Sequence, residues 1–307
     1  MKAGVIGAGR WGTKVVKEYI ALREEKIIDD VVLCDIDRSK LKSFVNVIQT
    51  TNSVNDILDK VNMIHICTSN STHYELAKKA LESGVHVIVE KPMAEDVNQS
   101  FDLVELSLST GLILQVGHIF RFANIVKKIK QLVESKDLGD IYYFNMSWSH
   151  LIPPIHNVDV VYDLLPHPLD ILNFITGKWP IGFIGIGKPY RRKHLVEVAN
   201  VGLIYSGFYA NIYLSWLFPE RRRLLEVIGS KKSIVADCAN QTGRIFSESG
   251  SEDILVEANN TIRDEILNFI DSIRTGKNSQ NSAIIGARTI DVINQIAKSI
   301  KIVENQT

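Results

Sequence analysis

Cysteine is scarce in this sequence, and the placement of the three that occur argues against cysteine-based sites. Cys34, Cys67 and Cys238 are far apart and lack the paired spacing of a zinc site. Cys34 and Cys67 fall inside apolar, strand-like runs, which predicts buried thiols that stay reduced. We therefore expect no bound metal.

The chain also lacks net charge and long apolar segments. Lysine plus arginine equals aspartate plus glutamate, at 35 each among 307 residues, so no global field favours nucleic acid or a membrane surface. No apolar run reaches the ~18 residues that a membrane span requires. The sequence opens on a strand-like segment rather than on a signal peptide. These features predict a soluble, cytoplasmic protein without nucleic-acid or membrane partners, and an apolar content of 45% suffices for a full core.

A glycine-rich turn follows the first predicted strand, residues 2–6. The spacing GxGxxG is typical of dinucleotide binding, because it needs a tight turn, close backbone approach to a pyrophosphate and close packing of helix on strand. Helical spacing of apolar residues follows, so the amino end of a helix would face the phosphates. The predicted cofactor-binding residues here are Gly7, Gly9, Arg10, Trp11 and Gly12.

A second strand, 31–35, ends in a carboxylate where a ribose-binding acid is expected. Asp35 lies 23 residues past Gly12 and would accept hydrogen bonds from the adenosine ribose hydroxyls. A 2′-phosphate at ~4 Å would be repelled by about 4 kcal/mol at an effective dielectric constant of ~20, which favours NAD over NADP. Arg38 could offset this repulsion, so NADP stays possible. The alternative is a carboxylate that only shapes the Asp-Ile-Asp-Arg turn.

Further strands and helices alternate along the first 120 residues. Strands at 62–67 and 112–117 and helices at 76–84 and 97–111 complete a pattern that predicts a right-handed, mostly parallel sheet. The loop after strand 62–67 is expected to touch the cofactor through Thr68, Asn70 and His73, although a helix cap by Ser71 or Thr72 explains the same residues. His65, inside the strand, is interpreted as a core histidine.

The most informative strand of this half is 84–90. Valines alternate along it, which predicts a buried strand, and it ends at Glu90-Lys91-Pro92. Open α/β sheets bind ligands at the carboxyl ends of their strands. Glu90 and Lys91 are therefore predicted at the cofactor site, with a solvated lysine at a strand end as the alternative.

The second half reads as strands without intervening helices. Strands are predicted at 141–149, 224–229 and 233–237, and a hairpin over 203–216 turns at Ser206-Gly207; the pattern favours antiparallel pairing. Helices return at 262–273 and 283–303, and residues 150–156 suggest a loop over a cleft. The expected domains are 1–121 and 122–307.

The segment 162–172 holds the main polar candidates of this half. If it is helical throughout, Asp163 and His167 are neighbours on one face, with Asp170 one turn further. Pro168 disfavours that, so the helix could instead begin near His167 with its prolines in the first turn. A structural histidine and a capping aspartate are the alternatives.

Other polar side chains of this half are weaker candidates. His150, His156 and Asp159 are interpreted as solvated loop residues more readily than as catalysts. The run 221–223, three arginines, could grip a phosphate or carboxylate, but a solvated basic turn explains it more simply.

The motifs together resemble a known family. Gly-Ala-Gly-Arg-Trp-Gly, the acid at Asp35, Thr-Ser-Asn-Ser-Thr-His and Glu-Lys-Pro occur in this order, and the set resembles the glucose–fructose oxidoreductase / inositol dehydrogenase (Gfo/Idh/MocA) family of nicotinamide-dependent oxidoreductases. The similarity covers essentially the whole chain, with 117–122 resembling the family's domain crossover. One departure is Ser69, where the family usually has proline.

This resemblance implies a fold and an activity. The expected fold is a Rossmann-like dinucleotide-binding α/β domain, followed by an α+β substrate-binding and oligomerisation domain with a large, mainly antiparallel sheet. The resemblance implies catalytic roles for Lys91, Asp163 and His167, and a homodimer or homotetramer. The form Leu-Leu-Pro-His, residues 164–167, looks more like members that act on nucleotide-linked sugars.

The expected reaction is hydride transfer between nicotinamide and a secondary alcohol or ketone of a sugar, sugar nucleotide or cyclic polyol. His167, with an unperturbed pKa of ~6.5, would be the general base, oriented by Asp163, and Lys91 would stabilise the alkoxide. Lys91 acting as the base is the alternative assignment of the proton. The alternative function is a non-catalytic, NAD(P)-sensing regulatory protein of the same fold.

Overall fold

The computed structural model describes residues 1–153 and 158–303 and divides into two compact units. The first unit comprises residues 1–118 and 262–290, and the second comprises 119–261 and the residues from 291 onward. The expected division, 1–121 and 122–307, differs from these units because a late helical segment returns to the first core. Ile266, Phe269 and Ile270 are buried there, so apolar burial decides where that segment lies.

The elements alternate in the first third and become strand-rich afterwards. The strands are β1 (Lys2–Ile6), β2 (Asp30–Cys34), β3 (Gln49–Thr51), β4 (Met63–Ile66), β5 (His86–Val89), β6 (Leu114–Val116), β7 (Ile141–Ser149), β8 (Gly182–Lys188), β9 (Val198–Tyr205), β10 (Phe208–Ser215), β11 (Arg222–Gly229), β12 (Ser233–Asp237), β13 (Thr242–Ser247), β14 (Gly250–Asp253) and β15 (Lys301–Ile302). The α-helices are α1 (Gly12–Glu24), α2 (Arg38–Leu41), α3 (His73–Glu82), α4 (Val97–Thr110), α5 (Asn124–Glu134), α6 (Val160–Leu164), α7 (Pro166–Thr176), α8 (Thr261–Thr275) and α9 (Ala283–Ser299).

The first unit is built on a parallel sheet of six strands. Their order is β3-β2-β1-β4-β5-β6, and each neighbouring pair is parallel. The strand order reverses between β1 and β4, which is where such sheets open a crevice at their carboxyl ends. The predicted Rossmann-like fold is confirmed. The edge strand β3 was not predicted, because its three polar residues carry no apolar pattern.

Helix α4 shows where a periodic pattern overstates burial. Asp96 caps it by accepting hydrogen bonds from the backbone N–H groups of residues 98 and 99, and Gly111, with φ of 69°, ends it. Leu108 continues the apolar spacing of Val97, Phe101 and Val104, yet it is 73% exposed. Burial is confined to the earlier turns around Leu103 and Val104, since the final turn extends beyond the apolar core.

The second unit is built on a nine-stranded sheet. Its order is β14-β13-β12-β11-β7-β10-β9-β8-β15, and the pairs are antiparallel except β7–β10 and β8–β15. The predicted, mainly antiparallel sheet is therefore confirmed. The pair β7–β10 is parallel because the chain passes through α6, α7, β8 and β9 before β10 returns beside β7. The predicted hairpin is β9–β10, and its turn contains Gly207 with φ of 100°.

The two faces of this sheet have different surroundings. Phe144, Met146 and Trp148 of β7 are buried in an apolar core with residues of α5, α6 and α7. The other face carries large apolar side chains that stay exposed, among them Ile184 (67%) and Ile204 (51%). One face is thus a core, and the other is an open surface.

Two expectations drawn from composition can be compared with the described residues. All three cysteines are free thiols, and Cys34 and Cys238 are buried. No helix in the part of the chain that the structure describes has the length and apolar character of a membrane span.

Close packing at the start of α1 yields a stability prediction. A Cβ on Gly12 would lie 1.8 Å from the carbonyl oxygen of Gly7, whereas a Cβ on Gly9 would meet nothing within 4 Å. Gly12→Ala must push α1 away from β1, and such overpacking costs about 1–3 kcal/mol, which lowers the melting temperature by several degrees. Gly9→Ala is the matched control. Equal melting temperatures for the two variants, measured by calorimetry, would contradict this account.

Candidate active site

The glycine turn between β1 and α1 is shaped by its neighbours on both sides. Gly7 has φ of 99°, and a Cβ there would lie 2.7 Å from the carbonyl oxygen of Cys67. Its N–H donates to the carbonyl oxygen of Cys34 at 2.7 Å. No side chain caps the helix at Trp11, and the N–H groups of Thr13 and Lys14 donate to the carbonyl oxygens of Gly9 and Trp11, so the amino end of α1 would attract an anion chiefly through its dipole.

A cavity of about 610 Å³ opens beside this turn. Its size falls within the range of small-molecule sites. Four of the predicted cofactor residues line it, namely Gly7, Gly9, Asp35 and Thr68. Arg10 is exposed at the turn, and Gly12 is buried beneath it.

The structure places Asp35 both within the turn and at the wall of the cavity. It accepts a hydrogen bond from the Ala8 N–H at 2.7 Å through Oδ2 and from the Asp37 N–H at 2.8 Å through Oδ1. It therefore shapes the turn and also lines the cavity. The cation near it is Lys40, whose Nζ is 3.7 Å from Oδ2 and which lines the same cavity. Arg38, named from the sequence, instead donates to Asn52.

The loop after β4 keeps the backbone of a proline-containing loop. Ser69 has φ of −73°, close to the value that a proline ring imposes. Residues 70–72 form a short 3₁₀ helix, with Asn70 half-buried outside the cavity. The backbone at Ser69 is therefore one that a proline could also adopt.

His73 is placed differently from its predicted role at the cofactor. Its side chain is 1% exposed, and its ring nitrogens lie 2.8 Å from the Pro92 carbonyl oxygen and 3.2 Å from that of Thr68. Burial lowers the pKa of His73, against a smaller opposing effect of these hydrogen bonds. Both ring nitrogens of His73 thus contact backbone carbonyl oxygens, and the side chain joins the loops that follow β4 and β5.

Glu90 links the glycine turn to the end of β5. Its Oε1 accepts a hydrogen bond from Trp11 Nε1 and lies 3.2 Å from His65 Nε2. His65 is fully buried and meets the ring of Tyr19 edge-on, which agrees with its interpretation as a core histidine. No sequence signal pointed to the bond between Trp11 and Glu90, because it joins residues that are 79 positions apart.

His65, Cys67 and Glu90 also have the geometry of a possible metal group. Their potential ligand atoms lie within 4.8 Å of one another. However, Glu90 Oε1 already interacts with Trp11 and His65. Burial, helped by the charge of Glu90, raises the pKa of the Cys67 thiol well above its usual value. We interpret the group as a hydrogen-bonded core cluster.

Lys91 follows β5 directly, at the carboxyl edge of the parallel sheet. It is half-buried, and the Lys91–Pro92 peptide bond is cis. Its neighbours on both sides are held, Glu90 by Trp11 and the Pro92 carbonyl by His73. The backbone that carries this ammonium is therefore fixed at two points.

In the second unit, His167 lies in the first turn of α7. This helix begins at Pro166, so both prolines fall in its first turn, as in the second of the two predicted arrangements. Asp163 lies on the preceding α6. The cap of α6 is Asp159, which accepts from the N–H groups of residues 161 and 162 at 2.9 and 3.1 Å. Asp159 is thereby explained as a structural residue, and Asp163 is not the cap.

The surroundings of Asp163 and His167 are aromatic. Trp216 Nε1 donates to Asp163 Oδ2 at 3.0 Å. Phe120 meets the His167 ring edge-on with centroids 5.1 Å apart. Next to Phe120, Arg121 Nε donates to Asp170 Oδ1 at 2.7 Å, and its Nη2 to Asn173 Oδ1 at 2.8 Å. The segment 119–122 therefore anchors α7 beneath His167.

The arginine run separates into exposed and buried members. Arg222 is half-exposed and pairs with Glu220 at 2.9 Å. Arg223 is 6% exposed and donates to the Ser149 carbonyl oxygen at 3.0 Å, with its Nη2 3.1 Å from His150 Nδ1. The sequence interpretation as a solvated turn therefore does not hold for Arg223. His156 lies outside the described residues.

Comparison with known proteins identifies the family. Residues 1–118 match the profile of the GFO_IDH_MocA oxidoreductase family with an NAD-binding Rossmann fold, and residues 126–235 match the GFO/IDH/MocA C-terminal domain. The chain is 25% identical over 247 residues to UDP-N-acetylglucosamine 3-dehydrogenase of Acidithiobacillus ferrooxidans, spanning 80% of this chain and 77% of that protein. It is also 25% identical over 306 residues to myo-inositol 2-dehydrogenase of Thermotoga maritima, spanning 90% and 89%.

Solved structures share the fold over almost the full length. Levoglucosan dehydrogenase in complex with NADH and levoglucosan superimposes with a TM-score of 0.87 at 16% identity, covering 97% of this chain and 96% of that one. The Acidithiobacillus ferrooxidans enzyme superimposes with a TM-score of 0.85 at 23% identity, covering 98% and 97%.

Both halves of the chain thus match the same family, in the order that the sequence motifs predicted. The predicted oxidoreductase activity and NAD cofactor are confirmed at the level of that family. The chain belongs to the GFO/IDH/MocA family of NAD-binding oxidoreductases.

Proposed function

We propose that this oxidoreductase transfers a hydride between nicotinamide C4 and a secondary alcohol or ketone carbon of a sugar, sugar nucleotide or cyclic polyol. The observation that carries the proposal is the anchoring of Lys91. Its ammonium follows a strand end that is tied to the glycine turn through Glu90 and to the Thr68 loop through His73. Such pre-organisation suits a group that must meet a reacting oxygen beside the cofactor.

The cofactor supplies the hydride chemistry, and the residues of the chain orient the substrate and move the proton. His167 accepts the hydroxyl proton as alcohol is oxidised, because an imidazole titrates near neutral pH. Asp163, fixed by Trp216, orients the imidazole or a neighbouring hydroxyl. Lys91 stabilises the negative charge that develops on the oxygen; the reverse assignment makes Lys91 the base.

The cofactor residues support NAD as the preferred dinucleotide. Gly7 and Gly9 let the pyrophosphate approach the backbone closely, and Asp35 accepts hydrogen bonds from the adenosine ribose. Thr68 lines the same cavity. Trp11 and Glu90 hold this surface together, and His73 holds the loops beside it. Arg10 and Asn70 remain proposed contacts at its rim.

The substrate class follows from chemistry shared by the relatives. Their names specify a nucleotide-linked amino sugar and an inositol, and one solved relative holds levoglucosan. Each is a six-membered ring with secondary alcohols. We propose that this chain acts on the same class, with nucleotide-linked sugars favoured by the Leu-Leu-Pro-His segment.

The exposed face of the nine-stranded sheet is proposed as a self-association surface. Tyr209 and Ile204 lie directly opposite each other in register, and the Tyr143 and Tyr209 rings stack at 5.3 Å. Contiguous exposed apolar groups on a sheet are typical of subunit interfaces. A homodimer or homotetramer is the expected assembly.

We expect His167→Ala and Lys91→Ala to lower turnover by about 10²–10⁴-fold while NADH affinity changes little, since each removes a proton-transfer or charge-stabilising group. Steady-state rates against a panel of sugars, polyols and nucleotide sugars, plus a fluorescence titration with NADH, measure both quantities. His194→Ala and Lys193→Ala, at exposed positions, are matched controls.

Two outcomes would count against this assignment. Unchanged turnover in both variants would remove Lys91 and His167 from the mechanism. A wild-type protein that binds NADH but turns over nothing on the panel, with either cofactor and in either direction, would instead favour the NAD(P)-sensing regulatory protein.

Asp35→Ser is expected to shift preference towards NADP by at least about tenfold. The substitution removes a carboxylate that would repel a 2′-phosphate, while Lys40 stays at the same position to attract it. Dissociation constants for NADH and NADPH give the ratio. Asp35→Ser/Lys40→Ala should lose most of the NADPH gain; a ratio unaffected by either change would show that the adenosine ribose lies elsewhere.

Charged substitutions on the sheet face are expected to dissociate the assembly. Ile204→Glu/Tyr209→Glu places two carboxylates at paired positions of the surface, where like charges cannot be buried without large cost. Light scattering should show a smaller mass than for wild type. Leu255→Glu, at a residue that is 90% exposed, is the control. If the wild-type protein is a monomer at the concentration used, this face of the sheet is not a self-association surface.

A further inference from the structure

Arg223 differs from Arg121, the other arginine that is buried among the described residues, in having no carboxylate partner. Arg121 pairs with Asp170 at 2.7 Å, and even the exposed Arg191 has such a partner, Glu197 at 2.6 Å. Arg223 is 6% exposed and forms no ion pair with any residue of 1–153 or 158–303. An isolated buried charge is costly unless it is paired, so a partner outside the chain would compensate it.

Part of the guanidinium remains available for such a partner. Nη1 donates to the carbonyl oxygens of Ser149 at 3.0 Å and Arg222 at 2.6 Å, and Nη2 lies 3.1 Å from His150 Nδ1. The Nε–H and the second Nη2–H donate to no group within the described ranges. Two such N–H groups can hold a carboxylate or phosphate in a bidentate fork.

The electrostatic surroundings agree with a poorly compensated charge within residues 1–153 and 158–303. Burial, helped by Arg221, lowers the pKa of Arg223 to about 10, while Asp163 and Asp237 act in the opposite direction. Residues 154–157, which follow His150 closely, are Pro-Ile-His-Asn and include no acid. Nothing in that segment could neutralise the guanidinium.

Arg223 lies on the same face of the sheet as the proposed catalytic imidazole. Its guanidinium is 5.5 Å from the Trp148 ring, Trp148 is 5.3 Å from Phe120, and Phe120 is 5.1 Å from His167. A continuous row of rings therefore leads from Arg223 to His167.

We propose that Arg223, with His150 beside it, binds an anionic group of the substrate, a carboxylate or phosphate attached to the sugar. The proposal rests on the proposed function and narrows its substrate class to acidic or phosphorylated sugars. The neutral Nδ1 of His150 accepts from the guanidinium and so holds the fork in place.

Matched pairs of substrates test the anion and its source. Glucose is compared with glucuronate for the carboxylate, and with glucose 6-phosphate and UDP-glucose for the phosphate, by kcat/KM and by the melting-temperature shift that each compound produces. Wild type should favour at least one anionic compound by tenfold or more. Arg223→Gln should lower that value by about ten- to hundredfold while changing the neutral sugar little, and Arg223→Lys should lie between.

The ratio of kcat/KM for the anionic compound to kcat/KM for the neutral sugar does not depend on how much of a variant is folded. A destabilised Arg223→Gln protein therefore still gives a valid ratio. Arg222→Gln, at the half-exposed neighbour, is the control and should keep the wild-type ratio. Equal use of neutral and anionic compounds by wild type, or an equal loss for both in Arg223→Gln, overturns the proposal. If no compound is turned over, the proposed function fails, and the thermal shifts of wild type against Arg223→Gln still decide whether the anion site exists.

Discussion

The first unit depends on one buried carboxylate, that of Glu90. It is 9% exposed, accepts from Trp11 in the glycine turn, and lies beside His65 of β4. A Cβ on Gly117 would come within 2.6 Å of the Glu90 Oε2, so the residue that follows β6 must be a glycine to leave room for this carboxylate. A buried acceptor that loses its donor costs about 1–3 kcal/mol. The turn, β4 and the end of β5 therefore cannot move independently, which fixes the position of Lys91 relative to the glycine turn.

In the second unit, a buried ion pair helps to fix the position of His167. Arg121 joins Asp170 and Asn173 on α7, while Phe120 contacts the His167 ring. Buried ion pairs seldom add much net stability, but removing one partner leaves a costly charge. The pair therefore restricts where α7 can sit more than it strengthens the fold. A helix start with two prolines adds rigidity, because both rings restrict the backbone around the imidazole.

The sequence predicted what depends on local patterns and missed what depends on distant contacts. Alternating valines located β5, and the glycine spacing located the turn, since both are readable within a few residues. Three features depend on how the folded segments meet and could not be read locally. They are the hydrogen bond between Trp11 and Glu90, the presence of Lys40 rather than Arg38 beside Asp35, and the burial of Arg223. The return of 262–290 to the first unit was missed for the same reason, because its amphipathic pattern does not say which core it covers.

Ser69 and Arg223 show that residue identity and local geometry carry different information. Ser69 departs from the family pattern, yet its φ of −73° is one that a proline ring would also impose. For Arg223 the relation is reversed. A run of three arginines looks like a solvated turn, but strand β11 turns alternate side chains to opposite faces, so Arg223 points inward while Arg222 points outward. The alternation of side chains along β11, rather than the number of arginines, thus decides which arginine is buried.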